Sequence, residues 1–255
     1  MQNLKPLLES LYVKLNRREF VNPDPLIFLY DYEDIKDREI AGLIASSLAY
    51  GRVAQILVSV RKILGPMEGK PHDFVLNHKE KDLAKLYAGF KHRFTDANDI
   101  VKLLTGVKKS LAEYENLENL YLQGVEKFTY FINGSQKSYL IPSPSDGSAC
   151  KRLNLYFRWM VRADNVDPGG WKKAKADRLV IPLDTHMFKA AKIIGFTQRK
   201  SADYKTALEI TENFGRISPN DPVKYDFSLT RLGIRDDMSF DELIELMKMT
   251  RGSKM

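Results

Sequence analysis

Apolar residues recur at intervals of three and four over seven stretches of the chain, residues 4–15, 39–64, 97–114, 150–161, 185–194, 204–214 and 240–249. That spacing lines one face of an α-helix, so the pattern predicts a helix over each stretch. Strand material is scarce: a β-branched cluster such as Leu179, Val180 and Ile181 ends at once at Pro182, and proline cannot donate to a ladder. The expected fold class is mostly α. Thr95 or Asp96 stands where a cap is needed before residue 97, and Ser201 before the helix that runs to residue 214; each offers a side-chain oxygen to free N–H groups. Proline and glycine interrupt the helical pattern at residues 23–25, 66–71, 141–147, 167–170 and 218–222, which predicts joints there.

No segment of 20 to 50 residues repeats and no low-complexity tract appears, which excludes a solenoid or a long linker. With 255 residues, 44% of them hydrophobic, the chain has ample material for a core. The expected organisation is a single two-lobed helical unit over 1–255. Approximate lobes are 66–150 and 151–235, with 1–65 contributing helices to either and a boundary near 66–77. A monomer is expected.

Charge changes this picture. Lys and Arg number 40 against 33 Asp and Glu, a net charge of +7, which favours an anionic partner: nucleic acid first, an anionic membrane surface second. No apolar run approaches the roughly 18 residues of a membrane span, and Lys5, Pro6 and Glu9 stand where a signal peptide would need an apolar core. The expectation is an intracellular, cytoplasmic protein, associated with the nucleoid if bacterial. A single cysteine, Cys150, excludes an intramolecular disulfide and any four-cysteine zinc or iron–sulfur site within one chain. Residues 151–205 hold thirteen basic and five acidic residues, enough to neutralise several phosphates, with Tyr156, Phe157, Trp159, Trp171 and Phe188 among them. Motif chemistry is otherwise thin: there is no phosphate-loop pattern, and the four histidines lack HExxH spacing.

Two segments carry chemistry. In the first, Asp146, Gly147, Ser148 and Ala149 form a small-residue turn before a helix whose first turn holds Lys151 and Arg152; such a turn lets backbone approach a partner closely. In the second, Pro182 ends one element and Asp184 caps the next, ahead of Thr185 and His186. A carboxylate there is held by helix N–H groups and the helix dipole.

In this order, the two segments resemble the helix-hairpin-helix DNA glycosylases, the superfamily of endonuclease III and the 8-oxoguanine glycosylases. The likeness extends over roughly 39–234. It takes in Leu43 to Leu48 with Tyr50, Val53 and Ala54 upstream, and the helix 204–214, Pro219 and a helix over 224–233 ending in glycine downstream. A narrower resemblance is to an uncharacterised bacterial family typified by ACKRLNLYFRWMVR (149–162) and IPLDTH (181–186). The superfamily resemblance implies a two-lobed helical glycosylase-like fold and base-excision repair of double-stranded DNA with AP lyase activity. It implies Lys151 as the nucleophile that forms a Schiff base and Asp184 as the acid that activates it and stabilises positive charge at the sugar. It further implies DNA contacts at Gly147, Ser148, Arg152, His186 and Lys189, with Arg52 or Tyr50 filling the gap left by an extruded base. Trp171, Tyr225 and Phe227 are candidates to line a base pocket, with 8-oxoguanine among the possible bases, although core packing is the alternative role for each. A monovalent cation at the hairpin carbonyls is the sole cofactor it suggests, with no iron–sulfur cluster, no other metal and no organic cofactor.

Three departures stand out. Ala149 replaces a second hairpin glycine; Lys151 and Asp184 are 33 positions apart, with 163–180 as an apparent insertion; and Tyr50, Gly51 and Arg52 stand where the superfamily commonly has a glutamine. The competing expectation is a nucleic-acid-binding module of the same fold without activity, in which Lys151 contacts phosphate and Asp184 only caps.

Overall fold

The structure, a computed structural model, describes residues 4–134 and 136–252. Among them are thirteen α-helices: α1 Leu4–Leu15, α2 Ile35–Ser47, α3 Val53–Leu64, α4 Pro71–Asn77, α5 Glu80–Leu86, α6 Ala97–Tyr114, α7 Leu117–Tyr121, α8 Val125–Asn133, α9 Lys151–Val161, α10 Thr185–Ile194, α11 Tyr204–Gly215, α12 Asp226–Ile234 and α13 Phe240–Gly252. The sheet content is one two-stranded ribbon, β1 Lys91–His92 and β2 Thr95–Asp96, antiparallel with His92 opposite Thr95 and a two-residue tip of Arg93 and Phe94. The mostly helical class is as the periodicity predicts.

Helix α2 forms the middle of the fold. Every residue from Glu39 to Ser47 is buried, as a helix surrounded by other elements requires. It packs on α9, on α4 and on the 3-10 turn Pro25–Asp31. Gly42 permits the approach, since a β-carbon there would lie 3.1 Å from Leu29 and 3.4 Å from the Tyr156 ring. Buried side chains form one cluster from Leu4 to Met247. Leu43 and Ile44, both fully buried, each contribute about 1.5–3 kcal/mol by leaving water.

Several local expectations change. The stretch 39–64 is two helices, broken at residues 48–52. Gly51 adopts φ +93° and lies so close to the hairpin that a β-carbon would sit 2.8 Å from Arg93 Cδ, so apolar periodicity runs through a turn that backbone geometry dictates. Helix α11 is capped by Asp203, which accepts from Thr206 N at 2.9 Å, rather than by Ser201. Asp96 caps α6 in a reciprocal pair with Asp99. Gly233 lies inside α12 instead of ending it.

Candidate active site

Helix α9 begins at Lys151 directly after Cys150, whose backbone is left-handed at φ +50° and whose side chain makes no cap bond. The segment before it is a 3-10 turn, Pro144–Asp146, closed by exposed Gly147 at φ +75°, after which Ser148 pairs in an isolated bridge with Asp203. The other described residues between α8 and α9 are irregular. Lys151 Nζ donates to the Ala49 carbonyl at 3.3 Å, and Arg152 Nη1 donates to the Ser47 carbonyl at 3.1 Å. Both carbonyls belong to the end of α2 and the turn after it, where a helix presents partial negative charge. Arg152 also donates to the Tyr139 carbonyl, and its guanidinium lies between two rings, 4.8 Å from Tyr50 and 4.7 Å from Tyr139. Burial lowers the pKa of Arg152 below its ordinary value.

Asp184 caps α10. Its Oδ1 accepts from His186 N at 2.9 Å and Met187 N at 2.8 Å, so the second carboxylate oxygen is not used in capping. Lys151, Asp184, Arg152, His186 and Ser148 line the same cavity of about 680 Å³, together with Tyr50 and Tyr139. Two chain segments 33 positions apart thus present a primary amine, from the first turn of α9, and a carboxylate, from the cap of α10, to one space. Asp226, at the start of α12, is wholly buried, and burial raises its carboxyl to about 6 against the pull of Arg158, with the charge of Asp184 adding to the rise. Cys150 is buried, and burial pushes its thiol up to about 12, away from the thiolate form. Among the described residues, no group of three or more His, Cys, Asp or Glu side chains is placed to hold a metal ion. No described helix is long and apolar enough to cross a membrane.

Residues 24–235, which include Lys151 and Asp184, match the model of the family described as "Protein of unknown function (DUF2400)". The chain belongs to this family. No curated protein and no solved structure matches it.

Within the family match, other site candidates fall elsewhere. Arg52 is exposed and precedes α3 beside the cavity-lining Gly51 and Val53. Lys189 is exposed on α10, its ammonium 4.9 Å from the Phe240 ring and outside the cavity lining. Trp171, Tyr225 and Phe227 are buried and do not line the cavity. Trp171 donates its indole N–H to Glu39 at 3.0 Å, which draws the 163–180 segment inward onto α2. Tyr225 donates to Glu9 at 2.7 Å, and the Phe227 ring lies under Arg231 at 4.4 Å. Core packing is the role the structure gives all three, and the aromatic lining comes instead from Tyr50 and Tyr139.

The basic segment is also reduced. Arg158 and Arg162 are buried, Arg158 pairing with Asp167 at 3.1 Å and with Asp226, Arg162 with Asp164 at 2.7 Å, Asp221 at 2.9 Å and Asp167. These two guanidiniums are spent inside the protein and offer nothing to a phosphate. Sequence reasoning missed Tyr139, which lies in an irregular segment without periodicity, and Asp24, which lines the cavity while accepting from Arg231 at 3.0 Å; its place between two prolines was the signal available.

Proposed function

We propose that this protein is a DNA base-excision repair glycosylase with AP lyase activity, acting on a damaged base extruded from duplex DNA in the cytoplasm. The observation that supports it most is the sharing of one cavity by Lys151 and Asp184. Cleavage of an N-glycosidic bond leaves positive charge at C1′ of the sugar, and the Asp184 carboxylate stabilises it. The Lys151 amine nitrogen bonds to C1′ as the base departs with its bonding electrons, and the proton the nitrogen gives up goes to the base. Opening of the sugar ring then gives a Schiff base, from which β-elimination releases the 3′ phosphate. In this reading His186 and Ser148, which line the same cavity, contact the strand, and the about 680 Å³ of the cavity falls within the usual range for a small-ligand site. Extrusion into such a cavity is how enzymes reach a base that the stack conceals.

A second reading is a binding module without chemistry. It is favoured by the partners that Lys151 and Asp184 already have, the Ala49 carbonyl and the α10 amides. The two readings separate in a base-release assay on duplexes carrying 8-oxoguanine, uracil or an oxidised pyrimidine. The enzyme reading expects release from at least one; release from none, with DNA still bound, supports the module.

A further inference from the structure

Three aromatic rings form a strip from the protein surface into the cavity. Phe94, at the tip of the β1–β2 hairpin, is 66% exposed, and Tyr139 is 55% exposed. Their rings meet edge-on at 5.5 Å with an angle of 77°, and Tyr139 meets Tyr50 at 5.4 Å and 82°. Tyr139 and Tyr50 line the cavity that holds Lys151 and Asp184. The inner end of the strip is anchored: Tyr50 Oη donates to the His92 carbonyl at 2.8 Å and accepts from the Thr95 hydroxyl at 2.7 Å, and His92 Nε2 lies 3.1 Å from the Tyr50 carbonyl. Cations accompany it, with Arg93 5.5 Å from the Phe94 ring, Arg152 between the two tyrosines, and Lys91 and Arg52 exposed nearby.

We infer that this strip is a platform for unpaired nucleobases, so that the strand around the target base is held single-stranded. Exposed rings interleaved with guanidinium and ammonium groups suit a chain of alternating aromatic faces and negative charges. The angles between the rings decide the form of that chain. Successive rings stand nearly perpendicular, so bases stacked on neighbouring rings cannot remain parallel to each other as they are in a duplex; they must be splayed. The inference rests on the nucleic-acid partner proposed above and is independent of the Schiff-base chemistry.

Fluorescence anisotropy of the full chain with a short labelled, undamaged deoxythymidine strand, the same strand annealed to its complement, and a uridine strand tests it. The deoxythymidine strand is expected to bind more tightly than the duplex. Phe94→Ala and Tyr139→Ala are each expected to weaken single-strand binding about ten-fold, in line with the loss of one stacked base. Phe94→Trp keeps the affinity, and the slope against salt stays the same because no phosphate contact is removed. Phe94 is exposed, so its alanine variant folds as the parent does, which an unchanged thermal midpoint verifies. Duplex binding as tight as single-strand binding, an equal loss for both in the alanine variants, or no single-strand binding overturns the inference; tighter binding of the uridine strand overturns its assignment to DNA. Strip-dependent binding without any base release leaves the platform standing and removes the glycosylase reading, and release without strip dependence does the reverse.

Discussion

The Nδ1 atom of His186 lies where a side chain on Gly233 would have to go, 2.5 Å from the position of a β-carbon there, with the Phe240 ring crowding the same point. Gly233 is inside α12, and at an ordinary helix interior a change to alanine stabilises by up to about 1 kcal/mol. Here the sign reverses. Gly233→Ala is expected to cost about 1–3 kcal/mol by forcing His186 and Phe240 aside, read as a lower thermal midpoint together with weaker DNA binding. A raised midpoint would show that the contact yields freely.

Asp184 has two roles in this account, a cap and a catalytic charge, and substitution separates them. Serine is as good an N-cap as aspartate, so Asp184→Ser is expected to leave stability within about 0.5 kcal/mol, while Asp184→Ala costs about 1 kcal/mol. Base release should fall about a hundred-fold or more in both, because neither retains the charge that faces C1′. Retention of activity in the serine variant would reduce Asp184 to a cap.

Burial raises the carboxyl of Glu39 to about 7 from an ordinary value of 4.5, against hydrogen bonds from Leu117 N and the Trp171 indole. Between those values the folded protein holds a proton that the unfolded chain has released. This group's contribution is therefore most favourable below about pH 4.5 and is lost as pH rises through about 7, on the order of 3 kcal/mol in all. The urea midpoint of the wild type is expected to decline between about pH 5 and pH 8, and Glu39→Gln to flatten that decline. An identical pH profile in the variant would locate the titration elsewhere.

Three helices are readable to the residue from spacing alone: 4–15, 97–114 and 185–194 coincide with α1, α6 and α10. The short helices α4, α5, α7 and α8 were not, because seven or so residues carry too few apolar positions to define a period. The break at Gly51 was concealed for the opposite reason, since buried positions on both sides continue the pattern across a turn. Lys151 and Asp184 are legible as residues through their motifs, whereas the cavity they share joins segments 33 positions apart through tertiary packing, which local sequence does not encode. Arg158 and Arg162 read as surface charge because two of the four aspartates that hold them inside, Asp221 and Asp226, lie more than 50 positions away. Trp171 misled in the same way: its partner Glu39 is 132 positions distant.

Borohydride trapping decides whether the Lys151 amine attacks C1′. Wild-type protein and Lys151→Gln are each incubated with duplexes bearing an abasic site, 8-oxoguanine, uracil or an oxidised pyrimidine, and reduced in place. Covalent capture of at least one duplex by the wild type, with none by Lys151→Gln while its DNA affinity persists, is the predicted result. Capture by the variant as efficient as that of the wild type, or no capture by either protein despite tight binding, would contradict it.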